Sequence, residues 1–398
     1  MKIAYFLKSL PEKSTTFICT EIEFLRKRGD DVYIFPIWDM DSSNVPSSIA
    51  ELGDYNYRRF SLLYPGWIFA AVLFLFLKPK VVLGLFSEYR KLYGIRFVFK
   101  SLEAALVLKT IGIKRIHAHM LSISVTRARI ASILVDTPYT FTAHGSDLLL
   151  LSPKDSAELL RGAEGVITPT EYNRKKIVEI AGNQAGESVK VIPYGVDTDF
   201  FSPHQGGRNK KGVVDIVIVG RLHPVKGHPY LLEALSILKK RGVKFHLTVV
   251  GEGEERGNLE RLADDLDLVK FVTFAGSLYG RPLRDRLRGS DIFVLSSLSE
   301  GLPVSMLEAM SVGLTVVVPE ITGITEVIIP QGRGGGRGNG IIFEAKNPED
   351  LAQKLEPAIR DRDLRDRLGR AARETVILKC SHDAAYRKIA EVIEGSAR

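Results

Sequence analysis

Residues 291–313 read DIFVLSSLSEGLPVSMLEAMSVG: a short apolar run, a polar turn holding a glycine and a proline, then a helical stretch. Asp291–Ser296 has the β-branched and aromatic content of a buried strand, and Pro303 suits the first turn of a helix. Glu300 therefore falls in a strand-to-helix loop, and Glu308 about two turns into the helix. The turn Gly301-Leu302-Pro303 can bring backbone N–H groups and a positive helix terminus towards an anionic ligand. Ordinary helix initiation, with Glu308 as a solvated helix residue, is the plain alternative.

Working outward, the same strand-and-helix unit recurs along the chain. Strands are expected at KIAYFL, DVYIF, RIHAH, YTFTAH, GVITPT and KVIPY in the first half. They are expected again at DIVIVG, FHLTVVG, FVTFAG, DIFVLS, LTVVV and GIIFE in the second. Amphipathic stretches lie between them, such as Thr16–Arg28 with Phe17, Cys19, Ile22 and Leu25 at helical spacing and Gly29 as its stop. This alternation predicts an α/β chain with parallel sheets. The polar, glycine-rich and basic run SPHQGGRNKKG, residues 202–212, reads as a linker between two domains, 1–201 and 213–380. The segment 381–398 reads as a C-terminal helix packing back towards the first domain. Two such domains in tandem place a cleft between the carboxyl ends of their sheets, where these folds bind ligands.

The bulk properties agree. A chain of 398 residues with 45% hydrophobic and 26% charged residues can bury two substantial cores. Cys19 and Cys380, the two cysteines, lie at opposite ends, which fits a reducing cytoplasm and no thiolate metal site. The start MKIAYFLKSLPEKS reads as a first strand and loop, not a secretion signal. A net charge of +8 points to an anionic partner. No zinc-ligand pattern, aromatic RNA-binding motif or basic recognition helix accompanies it, so nucleic acid is not expected. The run GWIFAAVLFLFL, residues 66–77, followed by Lys78-Pro79-Lys80, is too short for the roughly 20 residues that cross a bilayer. It is either a buried helix or one that dips into an anionic membrane face, with Trp67 and the lysines of 66–80 at the interface.

Two further strand ends carry candidate chemistry. In IVIVGRLHPVKGH, residues 216–228, Arg221 and Lys226 stand between a strand and a helix. Two cations beside a helix N-terminus suit a diphosphate, and fixed positive charge there lowers the barrier for a departing diphosphate. In TFTAHGSDLL, residues 140–149, His144 precedes Gly145, which lets the backbone approach a ligand, while Ser146 or Asp147 can cap the next helix. Three features read as structural. VVGEGEERG at Gly251 departs from the dinucleotide-loop spacing. The triplet Asp197-Thr198-Asp199 reads as a turn or cap. His117 and His119 are expected to point their rings to opposite faces of a strand, which makes a shared metal site unexpected.

Together these residues resemble the retaining GT-B glycosyltransferases of family four. GRLHPVKGH, VVGEGEER, FAGSL, DIFVLSSLSEGLPVSMLEAM, ITGITE and GNGIIFEAKNPEDLA follow in the family's order, and IPYGVDTDFFSP looks like the lead-in to its second domain. In the first domain STTFICTEIEFLRKRG, IHAHM and YTFTAHGSD are most similar to members that build bacterial exopolysaccharides such as colanic acid. The resemblance implies a GT-B fold, two Rossmann-like domains facing each other across a cleft. It implies that Arg221 and Lys226 hold the donor diphosphate and that Glu308 binds the ribose. Glu300, with the backbone of Gly301 and Leu302, would meet the donor sugar. His144 would contact that sugar from the opposite domain. Gly276, in the base-contacting stretch Phe274–Leu278, and Glu326, in the ITGITE loop with Gly323, fall on the donor side. Thr16 and Asp147 fall on the acceptor side. Relatives often carry Ser-Glu-Thr-Phe where this chain has Ser14-Thr15-Thr16-Phe17.

The expected activity is metal-independent transfer of a sugar from a UDP- or GDP-sugar to a lipid-linked or oligosaccharide acceptor. The expected setting is the cytoplasm or the cytoplasmic face of the membrane, during cell-surface polysaccharide synthesis, with no cofactor. A GT-B epimerase, a soluble-acceptor synthase and a non-catalytic nucleotide-sugar-binding subunit are the alternatives.

Overall fold

A computed structural model describes residues 1–8, 16–37, 66–149, 152–182, 188–204, 212–330 and 338–395. The chain forms two compact units, Met1–Ile192 with Tyr386–Arg398, and Pro193–Ala385. Each is built on one six-stranded sheet whose described pairings are all parallel.

In the first unit the elements run β1 (Lys2–Leu7), α1 (Thr16–Lys27), β2 (Asp31–Pro36), α2 (Gly66–Leu77), α3 (Pro79–Tyr93), α4 (Ile95–Ile111), β3 (Arg115–His119), α5 (Ile123–Val135), β4 (Tyr139–Thr142), α6 (Pro153–Gly162), β5 (Gly165–Thr168), α7 (Glu171–Ala181) and β6 (Val189–Val191). The spatial order is β2-β1-β3-β4-β5-β6. Ile3–Leu7 are buried throughout, as expected of a central parallel strand covered on both faces. On α1 the buried residues Ile18, Cys19, Ile22 and Leu25 form one stripe, and Gly29 at φ 96° ends it. The chain reverses its winding between β1 and β3, and the loops after them flank that reversal.

The second unit runs β7 (Val214–Val219), α8 (His228–Lys240), β8 (Phe245–Val250), α9 (Arg256–Asp265), β9 (Val272–Gly276), α10 (Gly280–Arg288), β10 (Ile292–Val294), α11 (Val304–Ser311), β11 (Thr315–Pro319), β12 (Ile341–Phe343), α12 (Pro348–Arg360), α13 (Arg362–Cys380) and α14 (His382–Glu394). Its order is β12-β11-β10-β7-β8-β9. Alternate strand residues feed two cores. Ile216, Ile218, Leu247, Val249 and Ile292 pack with α8 and α12, while Val217, Val250, Phe293, Val316 and Val318 pack with α11 and α13. Here the winding reverses between β7 and β10, which opens a crevice above their carboxyl ends.

The units part at Ile192/Pro193, earlier than the expected boundary at residue 201. The reason is packing. Val196 N donates to Cys380 O at 2.7 Å, and Val196 and Phe201 lie in the second unit's core. Of the expected linker 202–212, residues 205–211 lie outside the described residues, as do residues 331–337 of the glycine-rich run QGRGGGRGNG at 331–340. Helix α14 begins in the second unit and from Tyr386 belongs to the first. There Tyr386, Ile389, Ala390 and Ile393 are buried, and the Tyr386 hydroxyl lies 2.7 Å from Thr20 Oγ1.

Candidate active site

In the second unit, three glycines bring the loops after β7, β8 and β10 into backbone contact. Gly227, at φ 61°, leaves no room for a Cβ, which would stand 2.2 Å from Ser296 O. A Cβ on Gly251 would meet Gly220 O at 1.9 Å, and one on Gly253 would meet Leu222 O at 2.2 Å. Hydrogen bonds complete the weave: Leu298 N to Val225 O at 2.8 Å, Ser296 Oγ to Lys226 O at 3.0 Å and Leu222 N to Glu252 O at 2.9 Å. Lys226, ending a short 3-10 turn (Pro224–Lys226), is thereby aimed across the winding reversal at the loop after β10.

There it meets Glu300. Lys226 Nζ donates to Glu300 Oε1 at 2.6 Å, and Ser297 Oγ donates to the same oxygen at 2.7 Å. Both partners of the ion pair are largely buried. The turn Gly301-Leu302-Pro303 follows, with Leu302 buried, and leads into α11. The ITGITE loop closes on it so tightly that a Cβ on Gly323, at φ 89°, would stand 1.8 Å from Gly301 O. Glu326, in that loop's short 3-10 turn, is exposed, as is Arg221. Gly276 ends β9 at φ 71°, and a Cβ there would come 3.0 Å from Glu252 Oε1. Glu308 is the fifth residue of α11. Burial pushes its carboxyl up to about 8, with no cation among the described residues to draw it down. Lys226, Glu300, Gly301 and Gly323 thus form one cluster. Ser297, which steers Glu300, was missed in the sequence, where only the polar run Ser296-Ser297 after an apolar strand hints at it.

In the first unit His144 lies just past β4, and Gly145 follows at φ 104°. Asp147 is not presented to a ligand. Its Oδ1 accepts from His144 N at 2.9 Å and Gly145 N at 2.8 Å, and its Oδ2 from Leu121 N at 2.7 Å. It holds the loop in place, and burial raises its carboxyl despite those bonds. Thr16 opens α1, but its side chain lies outside the described residues.

The expectation for His117 and His119 is overturned. Residues two apart on a strand share a face, and the rings meet edge-on with centroids 4.9 Å apart. With Glu21 they form a cluster of metal-ligating type, ligand atoms all within 4.8 Å of one another. Its groups are already engaged. His117 Nδ1 and Nε2 lie 2.8 and 3.2 Å from the hydroxyls of Thr140 and Thr142. Tyr5 Oη and His119 Nε2 lie 2.8 and 3.1 Å from Glu21 Oε1. Burial, then the neighbouring His119, holds both His117 and His144 well below the ordinary imidazole range, so both are neutral. The parallel register that sets His117 beside Thr140 and His119 beside Thr142 accounts for this cluster. The Asp197 triplet is a turn, with Asp197 Oδ1 accepting from Phe200 N at 2.8 Å.

Helix α2 is neither fully buried nor membrane-spanning. Ala70, Ala71 and Phe74 face the core, while Ile68, Phe69, Val72 and Phe76 face outward, Phe76 at 85% exposure. Lys78 turns back to Asp136 at 2.6 Å, so of the two lysines only Lys80 stays exposed. Among the described residues no helix is long and apolar enough to cross a membrane.

Residues 202–375 match the family Glycosyl transferases group 1, and residues 14–200 match Glycosyltransferase Family 4. The two matches, both to families of glycosyltransferases, divide the chain between them. The chain is 28% identical over 366 residues to the sulfoquinovosyl transferase SQD2 of Arabidopsis thaliana, covering 89% of this chain and 65% of that protein. It is 30% identical to the amylovoran biosynthesis glycosyltransferase AmsK of Erwinia amylovora, covering 63% and 62% of the two. The chain spans 39% to 65% of the length of such curated relatives. Its fold resembles that of Anabaena HepE, crystallised with UDP and glucose, at a TM-score of 0.72, 19% identity and 98% coverage of both chains. Two parallel six-stranded sheets flanked by helices are those of the GT-B glycosyltransferases.

Proposed function

We propose that this chain transfers a sugar from a UDP- or GDP-sugar to a glycan or lipid-linked acceptor, with retention at the anomeric carbon, in the synthesis of a cell-surface polysaccharide. The observation that carries this reading is the Lys226–Glu300 pair at the winding reversal of the second unit, the place where such sheets bind nucleotides. Breaking the bond from the anomeric carbon to the diphosphate oxygen sends its electron pair to the nucleoside diphosphate. Lys226 and the exposed Arg221 would stabilise that charge, so a metal ion is not required. Glu300 would accept hydrogen bonds from the sugar hydroxyls and Glu308 from the ribose diol. The acceptor hydroxyl oxygen would form the new bond on the face the diphosphate leaves, its proton passing to the departing diphosphate oxygen. The likeness to a protein named for amylovoran biosynthesis supports the polysaccharide assignment. The outward face of α2 with Lys80 supports docking on an anionic membrane surface.

The test is thermal stabilisation by UDP, GDP, ADP and their sugar conjugates in EDTA. A bound nucleotide at a hundredfold excess over its dissociation constant adds roughly 2.7 kcal/mol. One base is expected to stabilise the protein, and the shift should vanish in Glu308→Ala. In Lys226→Ala, turnover of the matching donor should fall by about a hundredfold to a thousandfold. Stabilisation that survives Glu308→Ala, with full turnover in Lys226→Ala, overturns the assignment.

A further inference from the structure

Asn173 carries a hydrogen-bond donor that the fold of the first unit buries and does not use. It is the third residue of α7, whose first turn is capped by Thr170: Thr170 Oγ1 accepts from Asn173 N at 3.2 Å. The side-chain amide takes no part in that cap. The residue is 3% exposed, and among the described residues its Nδ2 has no hydrogen-bond partner. Thr168, the fully buried last residue of β5, leaves its Oγ1 unpartnered in the same way. A buried polar atom without a partner costs stability, so each one calls for a water or a ligand group from outside the chain. An apolar residue at 173 would fill the same space without that cost.

The amide stands beside the loop that carries His144. Ile167 pairs with Thr142, which sets the carboxyl ends of β4 and β5 side by side. The three heavy atoms nearest to where a Cβ on Gly145 would stand are Nδ2, Oδ1 and Cγ of Asn173, at 3.0, 3.0 and 3.3 Å. With glycine at 145 no side chain comes between the amide and the loop. Asp147, expected on the acceptor side, spends its carboxylate on the backbone amides of His144 and Gly145, so the unused donor beside this loop is that of Asn173. Its partner is a neutral oxygen. Arg174 is engaged by Glu171 at 2.7 Å in the same turn, and a carboxylate there repels an anion.

We propose that Asn173 is a specificity-determining residue for the acceptor, its Nδ2 donating to a hydroxyl oxygen of the acceptor's terminal sugar beside Gly145. The inference rests on the transferase reading above. In that reading the second unit holds the donor's diphosphate and ribose, which leaves the strand ends of the first unit to the acceptor.

The test follows the amide itself. In the whole chain labelled with 15N-asparagine, the side-chain signals of Asn173 are identified by their loss in Asn173→Ala. Methyl α-glycosides of glucose, galactose, mannose, rhamnose and N-acetylglucosamine are then titrated in turn, with glycerol as the control. At least one glycoside should shift those signals along a saturable curve that glycerol does not reproduce. If no glycoside moves them, or glycerol moves them as far, water or packing holds the amide and the proposal is overturned. With the responding glycoside as acceptor, Asn173→Ala should raise its KM about tenfold while kcat and the nucleotide-induced rise in Tm are kept. An unchanged KM also overturns the proposal. Failure of the transferase reading looks different: no nucleotide sugar is turned over with the responding glycoside, while that glycoside still shifts the Asn173 signals.

Discussion

On the proposed ribose-binding role of Glu308, a single proton governs nucleotide affinity. Its carboxyl is pushed up to about 8 by burial, so near neutral pH most molecules carry it protonated. A ribose diol offers hydroxyl protons and is held best by a carboxylate that only accepts. Nucleotide affinity should therefore rise as pH climbs through about 8, and binding below that pH should release a proton. Isothermal titration in buffers of different ionisation enthalpy measures the released proton directly. Glu308→Gln should abolish both the release and the pH dependence; a release that persists would point to another group. The same shift has a stability counterpart of defined sign. The folded carboxyl titrates above the unfolded one, so the free protein loses stability as pH rises from the ordinary carboxylate range to about 8.

At the scale of elements, the donor-side loops depend on glycines at which a side chain has no room. Gly227→Ala forces a residue at φ 61° and sets a Cβ 2.2 Å from Ser296 O. The left-handed backbone alone costs about 1–2 kcal/mol, and the loop must also move. The variant is expected to lower Tm and to lose transfer more than stability, because Lys226 no longer reaches Glu300. A variant with full activity and a lowered Tm would detach loop geometry from function. Helix α2 presents the opposite situation, side chains with nothing to pack on. Phe69 and Phe76 are 61% and 85% exposed. Phe69→Ser with Phe76→Ser should leave Tm almost unchanged while sharply reducing co-sedimentation with anionic vesicles. Equal sedimentation of both proteins would remove the membrane role from this face.

At the scale of the whole molecule, the last helix belongs to two units. Removing residues 382–398 strips Tyr386, Ile389 and Ile393 from the first unit's interior, each contributing about 1.5–3 kcal/mol by burial. It also removes the ion pair of Arg28 with Glu394. The truncated chain should show a lowered first-unit transition in calorimetry, with nucleotide stabilisation of the second unit retained. One unchanged transition would mean that the helix adds little to the first unit.

Much of this protein was legible in the amino-acid order. All twelve expected strands are present within a few residues, and the loops carrying Lys226, Glu300 and His144 lie at strand ends as read. These properties are local: apolar runs of strand length, helical stripes, and glycine or proline at the turns decide them. Tertiary structure alone decided which distant segments meet. It placed Ser297 and Lys226 on one oxygen of Glu300, turned Asp147 onto backbone amides, and joined Glu21, His119 and His144. It also moved the boundary between units to Pro193 and left one face of α2 open. Those outcomes depend on strand register, winding direction and close backbone approach, which are set between residues far apart in the chain and leave no periodic trace within any one segment.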